Sequence, residues 1–175
     1  GGTVNIDDAV GNGNNFIEYS ASGSAILEVT SGTLTVGSQI RRGLTSTAGS
    51  LKYRQSGGAV VVGRRAAPTT SRGVFEVVNA GSEFTHSAGT LTLVRGINST
   101  TVPSLLIEPE TPPLTIDPGS TINIGNANTP AGVNGQNIGI KSNRRLGVLT
   151  INNSSGNSPR ALIYSSPLEI SGTFT

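Results

Sequence analysis

The chain has 175 residues, 34% hydrophobic and 4% aromatic, with no Cys, Met or Trp, so it fits one domain, 1–175, whose interior must be filled by Val, Ile and Leu. The lack of Cys excludes disulfides and thiolate metal sites, no apolar run approaches the ~20 residues of a membrane-spanning helix, and a net charge of +2 is too small to imply nucleic acid. Ten arginines against two lysines favour planar contacts with carboxylate, sulfate or phosphate, lateral ion pairs, or plain decoration of solvated turns.

In chain order, Gly1-Gly2-Thr3-Val4-Asn5-Ile6 is already strand-like and opens without Met, which reads as a segment of a longer chain or a fibre subunit. Asp8, Asn12 and Asn14, with Gly11 and Gly13 between them, have the spacing of a weak calcium loop, but such clusters are ordinarily turns. Neither Gly11-Asn12-Gly13 nor Gly23 begins a strand, Gly-rich turn and helix in that order, so no cofactor is expected.

Five later segments share one design, a turn signal followed by an alternating strand: Ser31 to Gly37, Gly57 to Gly63, Ala88 to Val94, Pro118 to Gly125 and Ser166 to Gly172. Thr33, Ala59, Thr90 and Thr121 mark four of them at intervals of 26, 31 and 31 residues. A unit of that size cannot bury its own apolar face, so successive units must stack. Between them lies a second strand family at Ile26 to Val29, Leu51 to Arg54, Val74 to Val78, Leu105 to Glu108, Ile138 to Lys141 and Leu162 to Tyr164, with Leu27, Leu51 and Phe75 spaced by 24. Leu34/Val36, Val60/Val62, Leu91/Leu93, Ile122/Ile124 and Leu168/Ile170 are expected to point inward with Leu27/Val29 and Phe75/Val77.

These patterns predict an all-β parallel solenoid of about seven rungs: 2–24, 25–50, 51–73, 74–104, 105–137, 138–161 and an incomplete one from 162. The competing topology is an antiparallel sandwich with hairpins at Ser56-Gly57-Gly58 or Asn79-Ala80-Gly81. A sandwich has no reason to repeat. Prolines 103, 109, 112, 113 and 118 predict an irregular elbow over 103–118, with Glu108-Pro109-Glu110-Thr111-Pro112-Pro113 leaving the sheet. Residues 126–136 read as a polar Gly/Asn loop.

The repeat unit Ser31-Gly32-Thr33-Leu34-Thr35-Val36-Gly37 and its counterparts resemble right-handed parallel β-helices of the pectin-lyase-like type. In texture they resemble the Gly/Thr/Asn-rich passenger and adhesin repeats of secreted bacterial surface proteins. The resemblance implies an extracellular or cell-surface structural or adhesive module, and, as the alternative, a carbohydrate-active lyase or hydrolase or a fragment of one. Glycoside hydrolysis ordinarily wants two facing carboxylates about 5–9.5 Å apart. Asp7 and Asp8 are strand neighbours that point apart, and the Gly-His-Gly and Arg-x-Lys partners of the family's hydrolases do not occur. No catalytic residue is therefore expected. His86, the single histidine, is expected inside near a corner, bonded to backbone. Thr33/Thr35 and Thr90/Thr92 would be an ice-binding cue if Ala59/Val61 and Thr121/Asn123 did not interrupt them.

Arg41, Arg42, Arg64, Arg65, Arg95, Arg144 and Arg145 follow core strands or flank turns, and stacking would bring several to one edge, about 5 Å apart per rung, as a surface for anionic polysaccharide or a neighbouring subunit. Reversal of Arg64 and Arg65 to Glu is expected to weaken such binding without loss of stability. Neither end carries a capping pattern. Val4 and Ile6 at one, and Leu168, Ile170 and Phe174 at the other, are expected to support end-to-end association or continuation into further rungs.

Overall fold

The computed structural model describes residues 1–7, 15–20, 22–45, 48–110, 117–164 and 167–175. Its strands are β1 (Thr3–Ile6), β2 (Ile17–Tyr19), β3 (Ser24–Val29), β4 (Thr33–Val36), β5 (Ile40–Arg42), β6 (Ser50–Val62) and β7 (Phe75–Asn79). They continue with β8 (Glu83–Leu93), β9 (Leu105–Pro109), β10 (Thr121–Ile124), one helical turn α1 (Val133–Gln136), β11 (Asn137–Ser142), β12 (Val148–Ile151) and β13 (Arg160–Ile163). One sheet runs β1-β4-β6-β8-β10-β12, with β3 also on β6, and the other runs β13-β11-β9-β7-β5-β2. Pairing between these strands is parallel throughout. The fold is a parallel β-solenoid, and the antiparallel sandwich is excluded.

The core follows from like stacking on like. Leu34 pairs with Val60, Val60 with Leu91, and Leu91 with Ile122; Val36, Val62, Leu93 and Ile124 form a second ladder two residues on. All eight are buried. The opposite sheet supplies Ile40, Phe75, Leu105 and Ile140. Tyr53 lies 5.3 Å from Phe84 in a stacked pair and 5.0 Å from Phe75 edge-on, so three of the few aromatic rings concentrate at mid-shaft.

Three expectations are corrected. About four complete turns replace the seven rungs: β4 with β5, β6 with β7, β8 with β9 and β10 with β11 have neighbours on both sides in both sheets. The second strand family is two families, because Leu27 pairs with Tyr53 rather than Leu51, and Phe75 belongs to the other sheet, on Ile40. Thirdly, Glu108 and Pro109 stay in β9, paired with Val78 and Asn79. Proline is tolerated there because it is the strand's last residue, and its carbonyl accepts from Arg144 Nη2 at 2.6 Å. Residues 111–116 of the elbow lie outside the described residues.

At the corner between the two halves of β6 and β8 the inward ladder turns polar, with Val29, Gln55 and His86 in register. Gln55 Nε2 donates to Thr90 O at 3.0 Å, and the buried His86 Nε2 lies 3.3 Å from Gly89 O, which it meets as a donor. His86 Nδ1 is buried without a partner. Burial pushes the imidazole down to about 4, only partly opposed by the bond to Gly89. Because the folded state binds the proton more weakly than the unfolded chain, stability falls as pH drops from about 7 toward 4, by at most about 3 kcal/mol. Buried Glu76 acts in the opposite sense, since desolvation raises its pKa and its contribution fades as pH rises. Comparing melting of the wild type with His86→Gln across this range cancels Glu76. The expected result is a gap between the two that widens in favour of the variant as pH falls, and parallel curves would refute it.

Candidate functional site: an arginine corner

Strands β1, β4, β6 and β8 of the first sheet end at a common corner, where the chain passes from Ile6 to Asp7, Val36 to Gly37, Val62 to Gly63 and Leu93 to Val94. Gly63 has φ +86°, a left-handed conformation that turns the chain out of the sheet. Arg64 and Arg65 follow it, and Arg95 follows Val94 one turn on. Asp7, 2% exposed, receives both neighbouring arginines: Arg64 Nη1 lies 3.1 Å from Oδ2 and Arg65 Nε 2.8 Å from Oδ1. Its carboxylate reaches them past Gly37, whose missing Cβ would sit 2.9 Å from Oδ1. Arg95 donates from Nε to Gly63 O at 3.1 Å and from Nη2 to Arg64 O at 3.0 Å. Its burial, and then the nearby Arg65, lower its pKa. Two guanidinium groups thus hold one carboxylate, Arg95 braces the backbone that carries them, and among the described residues the corner keeps an excess of positive charge on the half-exposed Arg64 and Arg65.

The other expected arginines lie elsewhere. Arg41 is 3% exposed, bonded to Glu18 through Nη1 and stacked 4.4 Å over the Phe16 ring; it serves the fold's interior. Arg42 Nη1 donates to Asn79 Oδ1 at 3.1 Å and its Nε lies 4.0 Å from Glu76 Oε2. Arg144 is held on Pro109 O, and Arg145 pairs with Glu169 at 3.2 Å. Those two, with Glu108, Ser142, Asn143 and Glu169, line a cleft of about 350 Å³. The seven arginines therefore form three groups rather than one continuous stripe.

The sequence reading missed Asp7 as the corner's anchor. Its phase was available, since Asp7 follows the first inward ladder as Gly63-Arg64 follows the third. The expectation that reversing Arg64 and Arg65 leaves stability intact is corrected, because two glutamates would face a buried carboxylate with no cation left to compensate it. The proposed calcium ligands Asp8, Asn12 and Asn14 lie outside the described residues.

At the ends, Val4 is 57% exposed, while Ile6, Leu168 and Ile170 pack partly buried against the core. Phe174 bridges Leu149 and is 58% exposed. No helix among the described residues is long and apolar enough to cross a membrane. No protein-family profile, curated protein or solved structure matches the chain.

Proposed function

We propose that this chain is a rigid, adhesive shaft module of an extracellular bacterial surface protein or filament, of the kind built from pectin-lyase-like or passenger-type β-helical repeats, and that it holds anionic polysaccharide at the arginine corner. The observation that carries the reading is the pair Arg64 and Arg65 on the one described carboxylate of Asp7, with Arg95 bonded to the backbone beside them, fixed on a shaft whose ladders leave little freedom to rearrange. Surplus guanidinium at a fixed spacing suits the carboxylates or sulfates of a polymer. The exposed Val4 and Phe174 support a second component, stacking along the axis; a sedimentation coefficient independent of concentration would remove it.

Polygalacturonate is the probe for the corner. Binding should weaken as the Debye length contracts from about 10 Å at 0.1 M salt to about 3 Å at 1 M. It should weaken again, several-fold, in Arg64→Gln, where Arg65 remains to hold Asp7. Melting should change little, since Arg65 stays on the buried Asp7 carboxylate and compensates its charge. Binding indifferent to both salt and substitution would overturn the reading. The cleft that holds Glu108, Arg144, Arg145 and Glu169 favours the second reading, a carbohydrate-active β-helix; new reducing or unsaturated ends in the same polymer after incubation would select it.

A further inference from the structure

The loops that connect the first sheet to the second stack on successive turns, and between them runs a groove that meets the arginine corner at Arg95. It consists of two connected hollows of about 240 and 230 Å³, which share Ile97, Asn98 and Asn134 along their walls. Together they reach the size of small-ligand sites, about 300–1,000 Å³. One end is at Ala66 and Ala67 after β6, and the other at Tyr164 after β13. Four turns contribute, so at about 4.7–4.9 Å per step the groove is about 15 Å long. A trough of that shape fits a chain better than a compact molecule.

Its chemistry is uncharged. Three carboxamides line it, those of Asn98, Asn134 and Asn137. Asn137 Oδ1 is a buried acceptor with no hydrogen-bond partner, a group whose desolvation is uncompensated until a donor arrives. Asn98 and Asn134 are exposed. Apolar surface lies beside these amides: Ile97 at the floor, the exposed Val133 on the rim, and the Tyr164 ring, which lies against Gly139, where a Cβ would come within 2.5 Å of it. No carboxylate lines either hollow among the described residues, and the one cation there, Arg95, has its guanidinium committed to the carbonyls of Gly63 and Arg64.

Carboxamides offer a donor and an acceptor side by side, which is what a pair of neighbouring hydroxyls requires. An aromatic ring and aliphatic rim suit the C–H face of a sugar ring. A charged polymer would enter this trough without a counter-charge, and an extended peptide would need exposed strand edge, which the loops do not offer. We infer that the groove from Ala66 to Tyr164 is a binding site for an uncharged oligosaccharide chain, oriented along the solenoid axis. This site does not rest on the anionic reading of the corner.

The test titrates the full chain with cellohexaose, mannohexaose, xylohexaose, maltohexaose and chitohexaose, and with hexagalacturonate as the charged comparison. At least one neutral chain should bind, with an affinity unchanged between about 0.05 and 0.5 M salt. Tyr164→Ala and Asn137→Leu should each weaken it about tenfold or more, through a lost stacking face and a lost acceptor. The double variant Asn98→Ala/Asn134→Ala guards against misfolding, because both side chains are exposed; it should weaken the same ligand while the melting curve stays in place. No binding of any neutral chain, binding untouched by the double variant, or salt-sensitive binding of hexagalacturonate alone would each overturn the inference.

Discussion

Val60→Asp is expected to abolish the cooperative melt at neutral pH. Val60 is fully buried in the central ladder, with Leu34 on one side and Leu91 on the other, and the turns above and below leave no route by which a carboxylate could reach water. Keeping such a group in place means holding it protonated, which with a pKa displaced upward by about 3–5 units costs about 4 kcal/mol at neutral pH, and burying the neutral carboxyl without partners costs about 1–3 kcal/mol more. The lost valine burial adds about 1.5 kcal/mol or more. Set against a typical total stability of about 5–15 kcal/mol, this consumes most or all of it. The sign with pH is diagnostic: a raised folded pKa means the deficit is smallest below about pH 4 and grows as pH rises. A wild-type melting transition at pH 7, followed by circular dichroism, would place Val60 outside the core and undo the ladder.

Gly58→Val should come next in size, at about 4 kcal/mol. Gly32, Gly58 and Gly89 sit at one corner of three successive turns with φ of +77°, +67° and +86°. A Cβ on Gly58 would lie 2.6 Å from the carbonyl oxygen of Gly32 below it. The left-handed conformation alone costs a side chain about 1–2 kcal/mol, more when it is β-branched, and the obstacle is backbone already bound in the ladder, where Ala59 N donates to Gly32 O at 2.8 Å. Denaturant titration measures the loss directly, and a midpoint within error of the wild type would show that the corner relaxes freely.

The ladder through Leu34, Val60, Leu91 and Ile122 was legible because a tight corner requires glycine at a fixed offset before an alternating strand, and both signals recur together. The strands β2 and β5 were not. They are three residues long, and Ile17-Glu18-Tyr19 and Ile40-Arg41-Arg42 carry charge where an alternation search looks for apolar residues. The first half of β8 was lost for a related reason, since its inward residues are Phe84 and the polar His86, with Thr85 between them, so the alternation carries a single apolar residue. Spacing also misled: Leu27, Leu51 and Phe75 share an interval of 24 residues but not a sheet, because insertions at the corners shift each turn's phase. Of the candidate site, the arginines announced themselves by type and by their place after core strands. Their common partner did not, because contact between Asp7 and Arg65, 58 residues apart, depends on two stacking steps and on the gap left by Gly37.

That bridging carboxylate has a mechanical consequence. In a stack where each turn touches only the next, loss of order begins at the outermost layer and travels inward like a parting zipper. Asp7 breaks the rule of neighbours, for it ties the first layer directly to the third through two guanidinium groups and so makes three layers part together. At the opposite extremity the one ion pair among the described residues is that of Arg145 and Glu169, whose side chains are 64% and 55% exposed, a contact within adjacent layers and too wet to restrain much. Within these residues the shaft is therefore directional in its resistance: pulled or warmed, the layers that Asp7 ties hold together longer than the layer of β12.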